Sequence, residues 1–344
     1  MRICADARWG VLMAGLLYGL AAVAQPIAQP MATPYGVVSL PFELYKVPDA
    51  PIYYVIGLSG VPGADNEGHT SNAGFVVTGD GVVVFDALGT PALGYRLLQR
   101  IREVTAQPVR RVIVSHYHAD HIYGLQAFKE HAAHARAWAQ RGALDYVGGA
   151  AASNQGENAR RRLEQRREAL FPWVDENTYV VAPDLTFEKS LLFRLGGLTF
   201  EVRHMGPAHA PGDAALLVQE HGVLFSGDVI YGGRIPFLDS PETDIDQWLA
   251  GLDYIAGLGD EVRYIIPGHG GASQNPQQAV AATRDYITYV RHAMAAAVQD
   301  FVPFDEAYAN TDWSAWEDLP AFDASNRGNA YRIYLEEEER SLGE

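Results

Sequence analysis

The chain is almost without cysteine: Cys4 is the single thiol among 344 residues. Cys4 precedes an apolar run, Trp9 to Ala24, whereas a lipid-anchoring cysteine would stand at the end of such a run. Arg2 and Arg8 flank its start, and Ala22-Val23-Ala24 closes it before Gln25-Pro26, the order of a cleavable secretory signal peptide. The run is too short for a comfortable membrane span, so no stable span is expected after cleavage at Ala24. The mature chain then has no thiol, hence no disulfide and no thiolate metal ligand, which suits a periplasmic or secreted protein. Positive charge is also scarce. Lys and Arg number 26 against 42 Asp and Glu, a net charge of −16, which excludes nucleic acid as the natural partner. There is no GxSxG nucleophile elbow and no HExxH helix motif. A composition 48% apolar and 20% charged describes a folded protein, not a disordered one, and the partner expected with the site below is a small-molecule substrate. Nothing in it fixes an oligomeric state.

What the sequence does have is histidine in one tract, Ser115-His116-Tyr117-His118-Ala119-Asp120-His121. The preceding residues, Val109 to Val114, are apolar and β-branched and predict a buried strand. That strand delivers three imidazoles and a carboxylate to a loop, and these are ligands that suit zinc. Alternate residues of an extended backbone point the same way, so His116 and His118 can grip one ion. Asp120 and His121 fall on the next bend and can face a second.

Residues 25–35 are Pro-rich and read as a flexible lead-in, residues 36–300 as one catalytic domain, and 301–344 as a helical extension packed on it. Strands are expected at 53–57, 74–78, 82–85, 198–202, 214–218, 223–226 and 261–266, with Gly79-Asp80-Gly81 as a hairpin turn. Helices are expected at 91–105, 123–134, 246–258 and 276–299. Asn158 to Leu170 predicts a basic helix, its charge turned to solvent. The stretch 136–194 is otherwise irregular.

Three further strand-to-loop junctions each present one metal-type residue: His209, Asp228 after Phe225-Ser226-Gly227, and His269 after Ile265-Ile266-Pro267-Gly268. The order HxHxDH, His, Asp, His resembles the metallo-β-lactamase superfamily over nearly the whole mature chain. The resemblance implies an α/β fold, an αββα four-layer sandwich of two mixed β-sheets with helices outside. It also implies two Zn²⁺ per chain. His116, His118 and His209 would hold the first, Asp120, His121 and His269 the second, and Asp228 would bridge them. Asp86 matches the family's buried aspartate behind the ligands. The bridging Asp228 and Gly232-Gly233-Arg234 look like the glyoxalase II-like hydrolases. Trp173 to Thr178 and the tail around Leu319-Pro320 and Asn326-Arg327 look like periplasmic members associated with sulfur-oxidation or quinoprotein systems.

The expected activity is metal-bound hydroxide attacking an ester, thioester or amide/lactam carbonyl, with Asp120 ligating and orienting the nucleophile. Tyr123, Tyr231 and Arg234, each near a ligand in sequence, are candidates for the pocket wall, and Arg234 can take a carboxylate in bidentate fashion. His69 is placed in a loop overhanging the site; His131, His134, His204, His221 and His292 are left outside it. The alternative is an iron persulfide dioxygenase-like oxidoreductase with one iron on His116, His209 and Asp228. A non-catalytic periplasmic binding protein is the third reading. His118, where a flavodiiron protein has an acid, argues against that class.

Overall fold

The computed structural model describes residues 30–147, 154–240 and 242–343, with side chains omitted for 154–158. The expected signal peptide, 1–24, lies outside the described residues. Part of the expected lead-in is ordered: β1 (Met31–Thr33) and β2 (Gly36–Val38) pair as a small hairpin.

Two sheets carry the fold. The first has seven strands in sequence order: β3 (Tyr45–Lys46), β4 (Ile52–Val55), β5 (Ala73–Val77), β6 (Val82–Phe85), β7 (Val109–Ile113), β8 (Ala137–Gln140) and β9 (Leu185–Phe187). It is antiparallel as far as β6 and parallel from there on. The second holds β10 (Ser190–Leu195), β11 (Leu198–His204), β12 (Ala214–Val218), β13 (Val223–Gly232) and β14 (Tyr264–Gly270), antiparallel except for the last pair.

The side-chain period of two sorts each strand into layers. Val83, Phe85, Phe200, Leu216 and Phe225 face between the sheets, where Phe85 stacks on Phe225. Val82 and Val84 face the opposite way, toward helix α1 (Pro91–Val104). Leu217, Leu224 and Ile265 face outward from the second sheet. Because both faces of these strands are buried, they read as nearly continuous apolar runs. The outer layer over the first sheet adds the short helices α2 (Ala119–Ile122), α3 (Leu125–His131) and α4 (Leu144–Val147), and α5 (Asn154–Leu170). Over the second sheet lie α6 (Ile245–Gly257), α7 (Pro276–Gln299), α8 (Phe304–Asn310) and α9 (Phe322–Gly343). The result is helix, sheet, sheet, helix, the four-layer sandwich the resemblance implies.

Local chemistry sets the helix ends. Thr90 caps α1 by accepting from Leu93 N, Asp244 caps α6 and Asn275 caps α7, the first and last followed by a proline at the first helical position. One glycine fixes how α1 meets the histidine tract. A Cβ on Gly124 would fall 1.8 Å from the Ala87 carbonyl oxygen and 2.9 Å from Gly94 Cα, so the start of α3 lies directly against the β6–α1 turn. Of the expected helix at 123–134 the structure forms α3 over Leu125–His131, and Asp120 and His121 lie in the separate short turn α2.

Candidate metal centre

The site forms where both sheets end. At the tip of β6, Asp86 and Leu88 both hold positive φ, 60° and 71°. Such strain costs on the order of 1–3 kcal/mol per residue and persists only where the surroundings enforce it. Here Asp86 is fully buried and accepts from Ser115 N at 2.7 Å, Ser115 Oγ at 2.7 Å and His121 Nδ1 at 2.8 Å. The aspartate thus ties the end of β6 to the histidine tract leaving β7. Burial pushes its carboxyl upward in pKa, while His121 and Ser115 pull the other way.

The ring nitrogens fall into a pattern. His121 Nδ1 bonds Asp86, His209 Nδ1 bonds the Phe237 carbonyl at 3.0 Å, and His269 Nδ1 bonds the Thr70 carbonyl at 2.7 Å. His116 Nδ1 meets Ser115 Oγ at 3.0 Å, and the serine's own proton goes to Asp86. A carbonyl, a carboxylate or an accepting hydroxyl fixes the proton on Nδ1 and leaves the lone pair on Nε2. In all four rings that lone pair turns inward. His118 joins them through Nδ1, 2.8 Å from His209 Nε2.

The carboxylates complete the cluster. His269 Nε2 lies 3.1 Å from Asp228 Oδ2 and 3.4 Å from Asp120 Oδ2; His121 Nε2 lies 3.2 Å from Asp228 Oδ1; His209 Nε2 lies 3.4 Å from Asp228 Oδ2. Ligand atoms gather within 4.8 Å of one another in three sets: His116 with His118 and His209, His116 with His121 and Asp228, and Asp120 with His121 and His269. His116 Nε2, His121 Nε2 and Asp228 Oδ1 are buried without a hydrogen-bond partner among the described residues. A proton between His118 and His209 satisfies that contact alone, whereas cations satisfy all of these orphaned atoms together. The residues present therefore fit a two-ion site. All seven histidines and aspartates named from the four sequence stretches meet here, with Asp228 between the two sets.

The electrostatics of the cluster reflect its crowding. Burial lowers His116 and His118 well below the ordinary imidazole value, and His209 more mildly. For His121, burial is outweighed by Asp228, Asp120 and Asp86, which raise it well above that value. Burial would raise Asp228 and Asp120, but the histidines hold Asp228 far below the carboxylate range, and His121, His269 and Arg166 hold Asp120 at about 2. Both carboxylates are charged and ready to ligate at neutral pH.

The surroundings differ from expectation in places. Tyr231 donates to Asp228 Oδ2 at 2.7 Å and lines the cavity over the cluster, as does Arg234, only 8% exposed. Tyr123 does not line it; its ring is buried in the core under the first sheet, with the arginines of α5 as its charged neighbours. His69 does not overhang the site. It is 2% exposed and stacked on Phe42, and burial lowers it to about 4. Sequence reasoning missed Asp213, whose Oδ2 accepts from Ala210 N while Oδ1 sits 3.9 Å from His116 Nδ1. It also missed Thr70, which donates to Asp120 at 3.3 Å, and Ser71, which donates to the Asp120 carbonyl. Position in the His209 loop was the only sign of Asp213; Thr70 and Ser71 come from a loop remote in sequence.

The basic helix is the largest departure. Arg162, Gln165 and Arg166 of α5 line a cavity of about 550 Å³ over the cluster, together with Asp120, Asp228, Tyr231, Arg234 and Phe237. That face is not simply solvated.

Comparison with known proteins agrees with this geometry. Residues 67–269 match the family model described as the metallo-beta-lactamase superfamily. A linear primary-alkylsulfatase of a Pseudomonas strain is 26% identical over 61% of this chain and 44% of its own length. The hydroxyacylglutathione hydrolase GloC of Haemophilus influenzae is 27% identical over 51% of this chain and 74% of its own. An acyl-coenzyme A thioesterase of Gallus gallus is 31% identical over 46% and 55%. The chain thus spans about half the length of two of these relatives. Among solved structures, the sec-alkylsulfatase Pisa1 of Pseudomonas superposes with a TM-score of 0.66 at 18% identity, covering 86% of this chain and 50% of that one. A metallo-beta-lactamase family protein of Thermus thermophilus does so at 0.60 and 22%, covering 85% and 94%. The fold, the ligand cluster and the family match agree, and this chain belongs to the metallo-β-lactamase superfamily of metallo-hydrolases.

Proposed function

We propose that the chain is a dinuclear zinc hydrolase that cleaves an ester, thioester or amide carbonyl of a small molecule, exported by residues 1–24 to the periplasm or exterior. The observation that carries the reading is the inward convergence of imidazole nitrogens with the Asp120 and Asp228 carboxylates, three of those buried atoms making no hydrogen bond among the described residues. His116, His118 and His209 would hold one ion, Asp120, His121 and His269 the other, with Asp228 shared. Two zinc ions bound there would make water nucleophilic near neutral pH and polarise the group under attack.

The protein's own residues do the rest. Asp120, on a rigid helical turn and held by Thr70 and Ser71, accepts a proton from the nucleophile and orients it. Tyr231 restrains Asp228 through its hydroxyl. Ser115, Asp86 and the Phe237 and Thr70 carbonyls fix the ring tautomers. The relatives that cleave thioesters and hydroxyacylglutathione support the carbonyl reading.

Metal analysis of protein purified without chelator tests the centre: two zincs per chain are expected. A single iron would turn the reading toward the dioxygenase alternative. Zinc-loaded protein should then hydrolyse one of nitrocefin, S-lactoylglutathione, aryl esters or an alkyl sulfate. Inactivity on the three carbonyl substrates, whether or not the alkyl sulfate is cleaved, would overturn the carbonyl assignment, and export is tested by fractionation of the full-length chain.

A further inference from the structure

The cavity over the metal cluster holds three arginines, and two of them have no ion-pair partner among the described residues. Arg162 is neutralised: its Nη2 lies 2.9 Å from Glu242 Oε1, an acid also held by Ser240 at 2.6 Å, and its guanidinium stacks 4.4 Å over Tyr146. Arg166, one helical turn on, is half-buried and makes neither a hydrogen bond nor an ion pair among the described residues. Its charge is felt by Asp120. Arg234 is 8% exposed, and its contacts are the Ile235 carbonyl at 3.4 Å, the Tyr231 ring at 5.7 Å and His269 Nδ1 at 3.4 Å. That last atom already donates to Thr70, so it cannot accept from the guanidinium. No carboxylate pairs with Arg234 among the described residues.

A buried guanidinium without an anion is costly, and a natural chain tolerates it where a ligand supplies the missing charge. Two arginines four apart on one helix face also repel. Leu163 and Leu170 of α5 pack toward the first core, which sets the helix with Arg166 on the cavity wall. The remaining acid of the wall, Asp239, has its own carboxyl raised by burial against the charge of Arg332. The same lining includes Val61, Pro62, Phe237 and Ala321, apolar surface for a carbon chain. The volume, about 550 Å³, suits a small organic molecule.

We infer that the substrate carries, beyond the bond that is cleaved, a separate oxyanion, a carboxylate or sulfonate on an apolar chain, which Arg166 and Arg234 receive. The planar forks of arginine match such groups in bidentate fashion. This rests on the hydrolase reading of the site, so the test separates the two.

The test compares 4-nitrophenyl hexanoate with its chain-matched adipate and 6-sulfohexanoate monoesters on zinc-loaded wild-type protein, Arg166→Gln and Arg166→Lys. Wild type should favour at least one anionic ester over the neutral one in kcat/KM. Arg166→Gln should cut that preference about tenfold, the size of one charge-assisted contact, chiefly through KM, with part of it restored in Arg166→Lys. The arm that responds identifies carboxylate or sulfonate. Independently of turnover, calorimetry with adipate and with hexane-1-sulfonate should show about tenfold weaker binding of the preferred anion to Arg166→Gln. If no ester is cleaved but that binding difference stands, the hydrolase reading fails and the anion site survives. An unchanged preference and unchanged binding in both arms overturn the inference, and melting curves of the variants show that the comparison is between folded proteins.

Discussion

Replacing Asp86 with asparagine perturbs the centre without replacing any ligand. Asparagine tolerates positive φ as well as aspartate does, so the backbone at φ 60° keeps its conformation and only the hydrogen bonds change. The carboxylate now accepts three bonds, from Ser115 N, Ser115 Oγ and His121 Nδ1. In the variant the amide oxygen can stay on Ser115 N, which leaves the amide NH₂ facing both Ser115 Oγ and His121 Nδ1. His121 must then either lose that bond or shift its proton to Nε2, the atom that faces Asp228 and the metal. Loss of such a partner behind a metal-ligating histidine typically costs 10–100-fold in metal affinity, about 1.4–2.8 kcal/mol. Metal-free protein should lose roughly 1–3 kcal/mol of folding stability, because a buried donor is left facing a donor. Competition with a chelator reads the first quantity and denaturant unfolding of stripped protein the second. Zinc held by Asp86→Asn as tightly as by wild type would refute the argument that Asp86 sets the His121 tautomer.

Gly268→Ala tests the close approach behind Asp228: the new Cβ would fall 2.0 Å from Asp228 Oδ1, so metal occupancy after dialysis should drop. Retention of both ions would show that Asp228 moves freely. His69 tests pH dependence away from the metal. Its folded pKa of about 4 lies below an unfolded value of about 6.5, so the unfolded chain binds the extra proton between those values. The wild type keeps its full contribution above pH 6.5 and loses up to roughly 3 kcal/mol as pH falls to 4. The stability of His69→Leu relative to wild type should rise across that window; a parallel pair of pH profiles would contradict this. Asn329→Ala should destabilise by several kcal/mol in chemical unfolding, since this fully buried amide accepts from Leu238 N and donates to the Pro236 carbonyl and Tyr286 hydroxyl. A loss below about 1 kcal/mol would mean those groups find other partners.

The metal cluster was legible because its ligands stand at or near the ends of apolar strands, where a histidine or aspartate has no reason to follow such a run except to face outward from its tip. Legibility stopped at backbone irregularity. The strand carrying Asp228 does not end there: β13 runs on to Gly232 through register shifts beside Gly227, whose φ of 53° re-aims the chain. Periodicity cannot reveal such a bulge, since it shifts a side chain without changing composition. The short strands β3, β8, β9 and β10 escaped for a related reason. β10 lies at an edge with alternate residues exposed, and β3 and β9 have only two and three residues, too few for a pattern.

Side-chain direction was the harder problem. Tyr123 and His69 sit close in sequence to residues of the site, yet they fill the core. Arg166 is remote in sequence and reaches the cavity. A helix face of arginines is solvated by default, and only the placement of α5 against α2, fixed by Leu163 and Leu170, turns one of them toward Asp120. The tail acts on the site in the same tertiary way. Asn329 of α9 holds the chain at Pro236 and Leu238, and Phe237 between them supplies the carbonyl that fixes the His209 tautomer. A substitution in the tail should therefore loosen a ligand that lies 120 positions earlier in the chain.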